Sequence, residues 1–154
     1  MIKPSLIFSL ILFCGSLFAQ HDQKTLQMLA NQAKNKGETE KAISYYEDLY
    51  KHNEAEVYYD ELFGLYTQTS DFKAAEKLVK TRIKRYPSRA TYVVDRGHLK
   101  ELQGSTKAAV QDYKEALKIY DGNTQYARPL ASKFGRYDHH DFAEEVYLKS
   151  RKVT

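Results

Sequence analysis

Tryptophan is absent from the chain, and cysteine occurs once, at Cys14. A lone cysteine closes no intrachain disulfide and builds no thiolate metal cage. There is no glycine-rich phosphate loop, no GxSxG elbow and no HExxH zinc motif. No catalytic constellation is therefore legible, and no catalytic residue, cofactor or metal site is assigned. Neither sign of charge is in large excess: the formal net charge is +4 over 154 residues. That is too little to argue for nucleic acid or an anionic membrane. The basic stretch in mid-chain carries few aromatics, Tyr86 and Tyr92, and no nucleic-acid reading motif, so nucleic acid is not an expected partner. Linker-like and low-complexity tracts are missing as well.

The one long apolar run lies at the N-terminus. Lys3 gives a positive start, Leu6 to Cys14 reads LIFSLILFC, and Gly15, Ser16, Leu17, Phe18 and Ala19 follow. This is the pattern of a secretory signal peptide over residues 1–19, with cleavage expected after Ala19 and Gln20 as the new end. Residues 6–19 fall short of the ~20 apolar residues that span a bilayer, so no transmembrane segment is expected once the signal is removed. A lipid-modified Cys14 fits poorly, because bulky Phe13 precedes it where a small residue is needed. The ending Phe-Ala-Gln resembles signals of Gram-negative bacteria, and export to the periplasm or cell envelope is expected. Tyrosine (13) outnumbers phenylalanine (7). A tyrosine ring packs while its tip stays polar, which suits half-buried positions where helices meet.

The remainder of the chain has a fixed period. Ala42 with Tyr46, Ala75 with Val79, Ala109 with Tyr113 and Ala143 with Tyr147 each place an alanine four residues before a larger side chain. The alanines are 33, 34 and 34 residues apart (75−42, 109−75, 143−109). Upstream, Leu26, Leu29, Ala30 and Ala33 lie at i, i+3, i+4 and i+7. Tyr59, Leu62, Phe63 and Tyr66 repeat that spacing, as do Ala127, Leu130, Ala131 and Phe134. Such a spacing puts four side chains on one helical face, which must pack on a partner helix and on the next repeat. Turn signals fall between the two helices, at Gly37-Glu38-Thr39, Ser70-Asp71-Phe72 and Gly104-Ser105-Thr106. Pro87 stops a second helix.

With this period and these turns the chain resembles the tetratricopeptide repeat family, over about residues 23–154. The resemblance implies an all-α, right-handed α-solenoid of about four helix-turn-helix repeats, near 23–55, 56–89, 90–123 and 124–154, in one domain spanning 20–154. The third repeat departs from the pattern, with charged Arg96 and Lys100 beside Val93 and Gly97 at packing positions. Val94, Leu99 and Leu102 offer a rotated face instead. In the fourth, Pro129 suggests a helix starting near Tyr126 with proline in its first turn. The helix after it begins either at Gly135-Arg136-Tyr137-Asp138 or at Asp141-Phe142. The last helix is expected to cap the stack itself or to bury its face in a partner or second copy.

The resemblance also implies a concave groove lined by first helices that receives an extended peptide or a helix. Carried over position by position, its lining here is Gln27, Asn31 and Lys34, then Asp60, Gly64 and Thr67, then Val94, Asp95 and His98. The carboxylate clamp of some cytoplasmic relatives is not supported, since Gln27 replaces the first lysine and Glu61 stands where asparagine is expected.

Two clusters remain. His139, His140 and Asp141 have metal-ligand chemistry, but sequence neighbours on a helix point apart and no spaced third ligand follows, so a polar helix start is the preferred reading. Carboxylates crowd 38–61 (Glu38, Glu40, Glu47, Asp48, Glu54, Glu56, Asp60, Glu61), and bases crowd 77–100 (Lys77, Lys80, Arg82, Lys84, Arg85, Arg89, Arg96, Lys100). This is either a steering field for a partner of mixed charge or a set of solvated faces with weak ion pairs. The sequence points to a non-catalytic protein–protein adaptor or scaffold. The alternative is a self-assembling module that pairs through its uncapped last repeat.

Overall fold

The computed structural model describes residues 22–152. The expected signal segment 1–19, with Lys3, Cys14 and the expected cleavage position after Ala19, lies outside the described residues. Among the described residues there are eight helices and no strand: α1 (residues 22–35), α2 (Thr39–His52), α3 (Glu56–Gln68), α4 (Phe72–Arg85), α5 (Ala90–Leu102), α6 (Thr106–Ile119), α7 (Thr124–Arg136) and α8 (His140–Arg151). None is long and apolar enough to cross a membrane.

Each first helix hands over to its second by the same turn. Gly37, Ser70, Gly104 and Asp138 have φ of +72°, +59°, +78° and +61°. They are 33, 34 and 34 residues apart (70−37, 104−70, 138−104), the spacing of the alanines. The next residue's N–H reaches back five residues: Glu38 donates to the Ala33 carbonyl (2.9 Å), Asp71 to Tyr66 (2.8 Å), Ser105 to Lys100 (2.8 Å) and His139 to Phe134 (3.0 Å). These bonds satisfy carbonyls that the first helix would leave open at its end. At α4 the Asp71 side chain also accepts from the Ala74 N–H at 3.0 Å, an N-cap.

The chain divides inside α3 into two compact units, residues up to Leu65 and residues from Tyr66. In the first, Ala30, Ala33, Ala42, Tyr46, Leu49, Tyr59, Leu62 and Phe63 are buried. In the second, α5 is central and packs on α4, α6 and α7, while α8 packs on α7 and α6. Val93, Val94, Ala109, Tyr113, Ala116, Leu130, Phe134 and Val146 form its core. Tyr113 meets Phe134 and Phe142 edge-on at 5.8 and 5.5 Å. Lys149 of α8 donates to the Leu117 carbonyl at 2.9 Å and to the Tyr120 carbonyl, closing the end of α6.

The repeat pattern holds in the first three pairs, where Ala42, Tyr46, Ala75, Val79, Ala109 and Tyr113 are all buried. In the last, Ala143 is only half-buried and Tyr147 is 48% exposed. The fourth repeat also corrects one expectation and decides between two others. Helix α7 starts at Thr124, not near Tyr126, because Asn123 caps it by accepting from the Gln125 N–H at 2.9 Å. Pro129 thus sits inside the helix, on its exposed side. Helix α8 starts at His140, after Asp138 takes the left-handed turn, so Gly135-Arg136 belongs to the preceding helix.

Gly97 of α5 lies under the Tyr113 ring, where an added Cβ would come within 2.4 Å of Cε1. Gly64 of α3 has no such neighbour within 4 Å. Gly97→Ala is therefore expected to destabilise by about 1–3 kcal/mol through overpacking. Gly64→Ala should stabilise by about 0.5–1 kcal/mol through helix propensity. Urea unfolding midpoints of the two variants are expected to move in opposite directions.

Candidate functional site

In the first unit, Gln27, Asn31 and Lys34 follow one another at i, i+4 and i+7 along α1, so they share a face. Each is met by a side chain from another helix. Tyr46 donates to Asn31 Oδ1 at 2.6 Å, and Lys34 Nζ is 2.5 Å from Glu61 Oε2. Tyr58 makes a longer 3.5 Å contact to Gln27 Oε1. Burial pushes the Tyr46 phenol up to about 12, with Glu61 and Tyr58 adding to the effect, so the hydroxyl remains a donor. Asn31 and Lys34 are exposed, as is Gly64 of α3, while Asp60 is half-buried. The face thus holds amide, ammonium and carboxylate groups in fixed positions, a geometry suited to hydrogen bonding a polypeptide.

The second unit corrects the groove assignment. Val94 and Asp95 are both 0% exposed and line no open surface. The reason is that α7 covers this side of α5. Lys133 Nζ donates to Asp95 Oδ2 at 3.1 Å and the Tyr137 hydroxyl donates to Oδ1 at 2.6 Å. Lys133 is itself buried. Thr67 is half-buried near the end of α3. His98 is half-buried, with its ring stacked on Tyr137 at 3.7 Å and 4° between planes.

Beside His98, Glu101 Oε2 accepts from the Tyr113 hydroxyl at 2.9 Å and lies 2.9 Å from His139 Nε2. Burial opposes ionisation of Glu101, but the hydrogen bonds from His139 and Tyr113 outweigh it and hold its carboxyl below the usual value. Burial, then the Glu101 charge, pushes the Tyr113 phenol up. Burial also lowers His98, with His139 adding to the effect and Glu101 opposing it. His139 is therefore turned inward while His140 is 77% exposed and points to solvent, so the adjacent pair does not converge on one ion. Among the described residues no group of three His, Cys, Asp or Glu is placed to hold a metal.

The charged residues at the packing positions of α5 are explained by Asp112 of α6, which sequence reasoning missed. Arg96 binds it through two nitrogens, at 3.0 and 2.8 Å, and Lys100 at 2.7 Å; Arg96 also reaches Glu115 at 2.7 Å. The bidentate geometry makes this the stronger kind of ion pair. The signal was present as two cations on a stripe otherwise apolar, which demand a buried anion.

A solved structure of a MamA RS-1 ArsTM double mutant is similar to this chain, at 16% identity over 90% of this chain and 80% of that one, with a TM-score of 0.50. Two crystal forms of MamA AMB-1 are also similar. One has 17% identity over 81% of this chain and 69% of that one, TM-score 0.46. The other has 16% identity over 82% and 75%, TM-score 0.44. MamA is a tetratricopeptide-repeat protein, and the eight described helices have that solenoid fold. No protein-family model and no curated protein matches the chain.

Two outcomes are expected from the buried network. Asp95→Ala removes the carboxylate beside the buried Lys133 ammonium and should cost about 3–5 kcal/mol, whereas Asp95→Leu combined with Lys133→Met should cost less; chemical denaturation of both variants checks the order. Acidification should destabilise the fold. The unfolded chain takes up a proton at the ordinary histidine value of 6.5, before His98 does in the fold. Stability contributed by the neutral ring is thus full above that value and declines as pH falls below it. Denaturation midpoints between about pH 8 and about pH 5 should show this decline, and His98→Gln should flatten it.

Proposed function

We propose that the protein is a non-catalytic adaptor or scaffold of the cell envelope that holds a peptide or helix of a protein partner. The observation that supports this reading is the polar face of the first unit. Asn31 and Lys34 of α1 are exposed yet already oriented by Tyr46 and Glu61. Groups held in place before binding lose less entropy on binding, so such a face favours recognition. The carboxylates Asp60 and Glu61 of α3, the latter paired with Lys34, add negative charge that a basic partner segment would seek. The export part of the reading rests on Lys3, the apolar run 6–19 and Ala19.

A second reading is supported by one further observation. Tyr147 and Leu148 of α8 are 48% and 47% exposed, side by side on the last helix. A second copy of the chain is the partner this reading assigns to these two exposed side chains.

Crosslinking the tagged protein in its native envelope, followed by mass spectrometry, separates the two. An abundant partner lost roughly tenfold on Asp60→Lys with Glu61→Lys is the outcome expected of the adaptor. Recovery of that partner at an unchanged level would remove the α1–α3 face as its docking site. Recovery of the protein alone, abolished by Tyr147→Glu with Leu148→Glu, would favour self-association.

A further inference from the structure

The basic stretch of the chain resolves into two populations. Arg82 is buried beside the Tyr86 and Tyr92 rings, at 5.5 and 5.7 Å, and Arg96 and Lys100 are bound to Asp112. By contrast Lys73, Lys77, Lys80 and Lys84 are all exposed, and among the described residues none has an ion-pair partner. They follow at i, i+4, i+7 and i+11 along α4, a spacing that aligns them as one stripe about 16 Å long.

The stripe borders a groove. Between α4 and α5 lies a depression of about 520 Å³, where half-buried Ile83 is the apolar side chain left open beside the covered Val79 and Leu99, flanked by Lys80, Lys84 and Lys100. Lysine stems extend an apolar floor while their ammonium heads stay at the rim. The one carboxylate that α4 contributes, Glu76, is taken up at the groove end by Gln103, whose Nε2 donates to it at 3.0 Å. Four like charges in line, with Glu76 the single carboxylate among them, leave a net positive stripe, and an aligned anionic partner relieves their repulsion.

We infer that the α4–α5 groove docks an acidic amphipathic helix of a protein partner, its apolar side chains on Ile83 and the lysine stems and its carboxylates on the α4 lysines. The inference rests on the adaptor reading but uses a different surface from the α1–α3 face. Three turns of partner helix match the stripe. Apolar anchors in the groove with acidic residues along one flank satisfy both features together, the helix-in-groove mode of recognition. A membrane surface fits less well, because the apolar floor is recessed whereas an interfacial helix projects its apolar face. Nucleic acid fits less well too, since no aromatic side chain lines the groove as a stacking platform.

The test uses the full mature chain and a fluorescent helical peptide of about eleven residues with leucines on one face and glutamates along its flank. Saturable binding is expected, weakened by added salt. Replacing the peptide's glutamates by glutamine, or making Lys77→Glu, Lys80→Glu and Lys84→Glu together, should weaken it roughly tenfold or more. Reversing three lysines elsewhere, Lys36→Glu, Lys51→Glu and Lys107→Glu, should leave it unchanged. All three α4 lysines are exposed, so unaltered helical circular dichroism should accompany the loss. The inference is overturned if the peptide does not bind saturably, or if the α4 reversal leaves binding intact. It is also overturned if phosphatidylglycerol vesicles show the lysine dependence and the peptide does not. A native crosslinked partner that survives the α4 reversal would sink this groove and leave the adaptor reading standing. Peptide binding lost on that reversal, with crosslinking insensitive to Asp60 and Glu61, would support the groove and count against the α1–α3 face.

Discussion

Each helix pair depends on one residue held at positive φ. An α-helix ends with carbonyls that have no intrahelical donor, and a tight reversal must satisfy them while turning the chain back. Gly37, Ser70, Gly104 and Asp138 do this, and the N–H that follows each returns to the carbonyl five residues earlier. The turn also sets the register of what comes next. Five residues beyond each of them stands Ala42, Ala75, Ala109 or Ala143, small enough to let the second helix come close to the first. Ser70 and Asp138 carry side chains where glycine is favoured, at a cost of about 1–2 kcal/mol for an L-residue in this conformation. That they keep it shows how firmly the packing of the two helices fixes the turn.

Once α5 is covered by α4, α6 and α7, its charged side chains need partners within the protein. Asp95 finds Lys133 and Tyr137 on α7, and Arg96 and Lys100 find Asp112 on α6. Glu101 joins Tyr113 of α6 to His139 at the start of α8. A buried pair of this kind adds little net stability over apolar packing, but removal of one member is severe. The third and fourth repeats are therefore tied by directional contacts, which fix one arrangement more tightly than apolar contact does.

The alanine period and the glycine and serine turn signals made the fold legible, because small residues and left-handed residues have few alternatives at a close helix crossing. The last pair was harder to read. Its turn uses Asp138, a residue with many other roles, and Pro129 argued for a later helix start than the one Asn123 caps. The candidate site was legible only at its edge. Transferring groove positions from one repeat to the next put Asn31 and Lys34 of α1 at exposed positions. It failed for Val94 and Asp95, because helix α7 covers the same face of α5. The partners Lys133 and Asp112 lie 38 and 16 residues from the groups they bind, and no local pattern announces a contact at such separations.

Lys149 ties together parts of the chain that are far apart in sequence. Its ammonium closes the carbonyl end of α6, about thirty residues upstream, and lies over the Tyr120 ring at 5.8 Å. Damage at the tail would therefore travel backward. A product trimmed just before residue 149 would lose the last turn of α8, and it would also reopen the end of a helix in the preceding repeat. A label or cargo fused to this protein is better carried beyond residue 152 on a flexible spacer than spliced into the final turn.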